Sequence, residues 1–215
     1  MSISFPLQPN EFWSKLRFAD RPEFELAQFK QQSMDGAGNA MSAKFGQPKW
    51  RCDVATAGGR HDADMQMQAL IKALLGRDGA FLAYDIRRPN PKLDPLGTKI
   101  TGYSPLVRTV GGDNRSLSLK ALRSNYAFTV GDFLSIADGT GKRSLHQLME
   151  DITASGTTTA EFEVQPFLPT WIAVDQAVDL IHPVAKFKIV AGSYRPQSGS
   201  GNNSAGVSFS MISDP

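Results

Sequence analysis

The chain contains a single cysteine, Cys52. No internal disulfide can form, and nothing in the sequence calls for an oxidising compartment. With three histidines and that one thiol, it also lacks the Cys/His clustering of a structural zinc site. Charge is sparse and balanced: charged residues make up 20% and the formal net charge is +2. No basic stripe stands out that would neutralise a phosphate backbone, so nucleic-acid specificity is not expected. No apolar run approaches the ~20 residues needed to span a bilayer, so membrane insertion is not expected either. The opening MSISFPLQPNEFW has neither a basic n-region nor an apolar h-region. It does not read as a signal peptide, which points to synthesis in a reducing cytoplasm.

Catalytic signatures are equally scarce. The segment DGTGKRS, Asp138 to Ser144, superficially resembles a phosphate loop. However, Ile136 stands where the first glycine belongs, and Arg143 follows the lysine. A charged hairpin turn is the simpler reading. His61, His146 and His182 fall in no ligand spacing. His61 with Asp62 and Asp64 begins a helix, where the dipole repels a cation and favours capping acids. There is no GxSxG elbow before a helix. Cys52 lies in a strand pattern and reads as a buried small hydrophobe. Glu161 and Glu163, two residues apart, read as a solvated strand face rather than a glycosidase pair. No catalytic residue, metal ligand or cofactor is assigned, and the chain is not read as an enzyme. Trp13, Trp50 and Trp171 could stack on sugar rings, but core or interface burial is the commoner fate of such residues.

What is present is alternation. Hydrophobic residues make up 41% of the chain, enough for a packed core. Trp50, Cys52 and Val54 alternate with Lys49, Arg51 and Asp53, predicting a half-buried strand. Met41, Ala43 and Phe45 alternate just before it, and Gln47-Pro48 between them suggests a hairpin. Glu23 to Lys30 predicts a strand whose phase slips between Leu26 and Ala27. One segment is helical, about 62–75. Ala63, Met67, Leu70, Ile71, Leu74 and Leu75 share a face, Asp62 and Asp64 suit the N-terminus, and Gly76 is placed to cap the end. Ala80 to Ile86, apolar on both faces, predicts a central or covered strand.

The texture then changes. Arg87 to Pro105 carries Pro89, Pro91, Pro95 and Pro105 and predicts a connector. Short strands follow at Leu117–Leu122, Tyr126–Val130, Phe133–Ala137, Leu145–Met149 and Phe162–Pro166. Asp138-Gly139 and Ser155-Gly156 supply turns between them. Such spacing suggests a small barrel or sandwich. Two more strands close the chain, around Phe187 and Ile189 and around Val207, Phe209 and Met211. Between them lies the polar SYRPQSGSGNNSAG. The expected fold is mainly β: a β-sandwich domain with one amphipathic helix (1–95 with 184–215) and an inserted small β-barrel or sandwich domain (96–183).

Two stretches resemble the distal tail proteins of long-tailed, siphovirus-type bacteriophages. Lys49 to Asp85 is similar to their tryptophan-bearing strand, amphipathic helix, small-residue turn and Phe-containing strand. Val130 to Pro169 is similar to a module with Gly-Asp between apolar neighbours, a Leu-His strand, a turn glycine and a strand ending at proline. Together they cover roughly a third of the chain. The resemblance implies a structural virion protein forming a ring, usually a hexamer, between the tail tube and the tail-tip hub or baseplate. Its partners would be itself, the tube protein, the hub protein and, through the second domain, fibres or receptor-binding proteins.

Rings close through heterologous contacts, which favour apolar anchors and segments that order on assembly. Phe5, Phe12 and Trp13 are candidate anchors. The connector and the tip Ser193–Gly206 are candidate arms, with Arg87, Arg88, Tyr194 and Arg195 as their contact residues. Two other readings remain open: another tail component (tube, terminator or minor tail protein), and a carbohydrate-binding β-sandwich module.

Overall fold

A computed structural model of the protein describes residues 4–34, 36, 38–196, 203–204 and 206–214. After a 3-10 turn at Trp13–Lys15, the first part of the chain forms β1 (Glu25–Ala27), β2 (Lys30–Met34), β3 (Ala40–Lys44), β4 (Lys49–Ala55), β5 (Gly59–Arg60), helix α1 (His61–Gly76) and β6 (Phe81–Ala83). The middle forms β7 (Leu106–Val110), β8 (Ser116–Lys120), β9 (Ala127–Phe128), β10 (Phe133–Ala137), β11 (Arg143–Leu148), β12 (Ile152–Thr153), β13 (Phe162–Gln165) and β14 (Ala177–Asp179). The end adds β15 (Ala185–Ile189), β16 (Arg195–Pro196), β17 (Asn203–Ser204) and β18 (Val207–Ser213). The fold is mainly β, and α1 is the only α-helix among the described residues.

One sheet runs β1-β4-β18-β15-β6, with β16 attached to β18. Its strands therefore come from both ends of the chain. Alternation explains why β4 and β18 sit side by side. Trp50, Cys52 and Val54 are buried, as are Val207, Phe209 and Met211, and the pairs Phe209↔Val54 and Met211↔Cys52 place both apolar rows on one face. Against that face pack Ile71 and Leu74 of α1, together with Phe12, Trp13 and Phe24 from the N-terminal segment. The aromatic rings interlock edge to face: Phe12 on Phe81 at 4.8 Å, and Phe24 on Phe187 at 5.1 Å. β6 ends the sheet, but the N-terminal segment covers its edge: Leu7 donates to Ala80 O and accepts from Leu82 N–H.

The second unit is a closed barrel, β10-β11-β13-β8-β7-β14. Its interior is filled by side chains including Val107, Leu117, Leu134, Ile136, Leu148, Phe162 and Val164, as expected of a small barrel. The outer faces of β10 and β11 supply Phe133 and Leu145 to the sheet's core. Trp50 seals this junction. Its indole N–H donates to Leu145 O at 2.7 Å, and its ring meets Phe133 edge to face at 5.6 Å.

Several local expectations are corrected. Ala40–Lys44 does not pair with β4. It pairs with β2, in the register Lys30↔Lys44 to Met34↔Ala40, while β4 takes β1. Gln47-Pro48 carries the chain straight on rather than back, and the reversal falls between Met34 and Ala40, where Gly38 has φ +84°. The helix is not capped at Gly76. Asp78 takes the left-handed conformation (φ +48°), and Gly79 N–H reaches Leu74 O at 2.8 Å, a Schellman arrangement two residues later. Ala63 and Leu75 are exposed, so the helix buries a narrower stripe. Tyr126–Val130 shrinks to the two residues of β9, and β7 and β14 form without having been anticipated.

Candidate assembly surface

β2 and β3 form a two-stranded ribbon that belongs to no larger sheet. All ten of its residues are exposed. An isolated ribbon of this length is marginal in water, so this arm stands out from the sequence-driven packing elsewhere. Residues directly opposite each other share a face. One face carries Lys30 opposite Lys44, Gln32 opposite Ser42, and Met34 opposite Ala40. The other carries Gln31 opposite Ala43 and Ser33 opposite Met41. At the base Phe45 N–H donates to Phe29 O at 2.8 Å. Met34 is 79% exposed, Phe45 70% and Met41 60%. These are large apolar side chains with no intramolecular use.

Beneath the arm lie two adjoining hollows. The first, of about 530 Å³, runs between Leu26, Phe29 and Phe45 on one side and Gln165–Phe167 on the other. The second, of about 350 Å³, continues between Trp50, Asp113 and Arg143 and reaches the 166–170 segment. Gln47, Pro48, Pro166 and Phe167 line both. Arg115 lies over the Phe167 ring at 4.8 Å and 3.7 Å from Asp113. Arg143 pairs with Asp179 at 2.8 Å.

The second hollow also borders a Ser–His pair. Nε2 of His146 is 2.8 Å from Ser144 Oγ, and Nδ1 is 2.8 Å from Pro166 O. The carbonyl can only accept, so Nδ1 carries the proton and Ser144 donates to Nε2. That is the geometry of a nucleophile and its base. The setting works against the chemistry. Burial pushes the imidazole down to about 4, so the imidazolium that a general base must become is strongly disfavoured. No carboxylate orients the ring. The pair is a satisfied polar contact at the barrel interior. Among the described residues no cluster of three or more metal-ligating side chains occurs, and no helix is long and apolar enough to cross a membrane.

The residues singled out from the sequence do not form an exposed surface: Phe12 and Trp13 belong to the sheet's core, and Phe5 and Tyr194 pack against it. Phe12 and Trp13 are completely buried, and the Trp13 indole donates to Tyr84 O at 3.0 Å. This corrects their reading as exposed anchors: the sheet's own core uses them. Phe5 is half-buried against that core and against Gly79. Arg87 pairs with Glu23 at 3.0 Å and Asp85 at 3.1 Å, which hold its guanidinium pKa up. Arg88 pairs with the fully buried Asp132 at 3.1 Å. Both arginines are internal ties, and the connector is no free arm. Lys92 N–H donates to Asp132, Asp94 accepts from Lys99 and Ile100 amides, and Ile100 enters the barrel core. Tyr194 is half-buried, and Arg195 is exposed and donates to Gly192 O at 2.6 Å. Half of the Ser193–Gly206 tip, 197–202 and 205, lies outside the described residues, as does the side chain of His61. Trp13 and Trp50 are buried, which leaves Trp171 alone and half-exposed and removes the three-tryptophan sugar platform.

Sequence reasoning missed the arm. The alternation of Met41, Ala43 and Phe45 was visible, but alternation alone does not say whether a partner strand comes from the same molecule. The available signal was the partner run Lys30-Gln31-Gln32-Ser33, which has no apolar residue to bury. No protein-family model matches the chain, and no curated protein matches it.

Proposed function

We propose that this chain is a structural virion protein that forms a ring at the distal end of a phage tail, joining the tail tube to the tail-tip hub or baseplate. The observation that carries the reading is the arm: ten exposed residues in a ribbon that bears Met34 and Met41. A ribbon with two open edges and unpartnered apolar side chains is suited to completion by a neighbouring subunit. Ring closure would use it heterologously, each arm resting on the next subunit. The similarity of the two sequence stretches to distal tail proteins supplies the rest of the reading, including the tube and hub as partners and fibres or receptor-binding proteins at the barrel.

Native mass spectrometry of the purified protein, with negative-stain images, tests it. A closed ring of about six subunits is expected. Replacing 30–44 by a short glycine-serine turn should return a folded monomer. Long tubes would indicate a tube protein instead. A monomer at high concentration, unaltered by the presence of tube and hub proteins, would overturn the ring.

A further inference from the structure

We propose that the double hollow at the base of the arm binds an acidic, apolar-bearing, extended segment of a different protein. The argument begins with charge. Among the described residues, the only charged ones lining the larger hollow are Lys30 and Lys44, and they stand directly opposite each other in the ribbon. Like charges across a strand pair are destabilising, and neither lysine has an ion-pair partner among the described residues. Lys49, on the smaller hollow, is likewise unpaired. By contrast Arg143, also on the smaller hollow, is matched by Asp179, and Arg115, over the Phe167 ring, by Asp113. Three uncompensated lysines converge on one groove, and an acidic occupant would neutralise them.

The floor adds a second requirement. Phe29, Phe45 and Phe167 face the larger hollow together with Leu26, Pro48 and Pro166. Phe45 is largely exposed and Phe29 partly so. A bare polyanion would leave this surface wet, so the occupant carries apolar side chains as well.

Backbone geometry favours a peptide over a nucleic acid. The ladder breaks between the Ala27↔Lys49 and Lys30↔Lys44 pairs, bridged only by Phe45 N–H to Phe29 O. Among the described residues the amides of Gly46 and Gln47 find no backbone acceptor. They border both hollows or the larger one and offer strand-type pairing to an extended chain. The two acidic alternating stretches of this chain are not free to enter it: Phe24, between Glu23 and Glu25, and Phe162, between Glu161 and Glu163, are buried. A second protein is therefore the occupant. The inference does not rest on the ring, because groove binding is read by peptide affinity and the ring by mass.

The test uses the full chain and a fluorescein-labelled peptide of about eight residues that alternates phenylalanine and glutamate, the period of a strand. Anisotropy should show saturable binding. Lys30→Glu with Lys44→Glu should weaken it about tenfold or more, and Phe45→Ser should weaken it comparably. All three sites are exposed, and unchanged circular dichroism verifies folding. Four results would overturn the proposal: no binding up to about millimolar peptide; equal binding of the phenylalanine–lysine peptide; equal binding of a serine–glutamate peptide or of oligothymidylate, which would mean a polyanion site; or a change in native mass with unchanged peptide affinity in the lysine double variant, which would mean a second copy fills the groove.

Discussion

His146 occupies the barrel interior with both ring nitrogens engaged. Burial holds its pKa near about 4 against an ordinary 6.5. The unfolded chain takes up a proton through about 6.5, while the folded one resists until about 4. The histidine's contribution is therefore full above about pH 6.5 and is lost as pH falls toward 4, by up to roughly 3 kcal/mol. Urea titrations between about pH 4 and 7 check this. His146→Leu should be less stable at neutral pH, because Ser144 Oγ and Pro166 O lose their partner, yet show a shallower pH slope. Identical slopes would assign the acid sensitivity elsewhere. Cys52 gives a second residue-scale prediction. Burial, with Asp53 adding to it, pushes the thiol up to about 12. Thiolate is the reactive form, so a thiol reagent should find no reactive group in the native protein and one per chain in denaturant. Asp132 supplies the third. It accepts from Lys92 N at 2.9 Å and Thr129 N at 2.8 Å while facing Arg88. Asp132→Ala removes the acceptor of both amides and the counter-charge of Arg88, and should lower stability by about 3 kcal/mol or more, read as a drop in Tm.

At the scale of elements, amphipathic period and burial agree wherever a strand has a core to face. β4 and β18 alternate in the sequence and in space, and the β10–β11 hairpin forms around Asp138-Gly139 as the turn chemistry indicates. There Asp138 accepts from the Thr140 hydroxyl and the Thr140 and Lys142 amides, which holds its carboxyl below the usual range. Agreement fails where closure is long-range. Leu106–Val110 follows a proline-rich connector and Ala177–Asp179 is only three residues long, so neither carries enough period to be seen. The return into β18 shows one local requirement well. Gly206 has φ +91°, and a Cβ there would overlap the Thr56 carbonyl oxygen. Gly206→Ala should therefore destabilise by about 1–3 kcal/mol; an unchanged urea midpoint would show that the strand entry can shift. The arm behaves oppositely. Met34→Ser with Met41→Ser should leave the stability within about 0.5 kcal/mol, because both side chains are largely exposed, while shifting the native mass distribution toward monomer.

The whole molecule is organised around the seam between sheet and barrel. Trp50 fastens it through one hydrogen bond and one ring contact, and the Arg88–Asp132 pair fastens the connector beside it. Trp50→Ala removes a buried indole and should cost about 3–5 kcal/mol. Calorimetry should then resolve separate transitions for sheet and barrel where the parent shows one.

By itself the sequence determined the class of the fold: mainly β, one amphipathic helix, turns at Asp138-Gly139 and Ser155-Gly156, and a connector where prolines exclude ladders. These follow from properties each segment carries alone, namely period, propensity and the φ its residues allow. The tertiary structure decided what each apolar residue is for. Phe12 and Phe45 are alike in type, and each follows a charged residue, Glu11 and Lys44. One is enclosed by Phe81 and Phe209, while the other stands in solvent at the base of a ribbon. Burial is a property of what folds over a residue, and that comes from β6 and β18, distant in sequence, through hydrophobic contacts no local window contains.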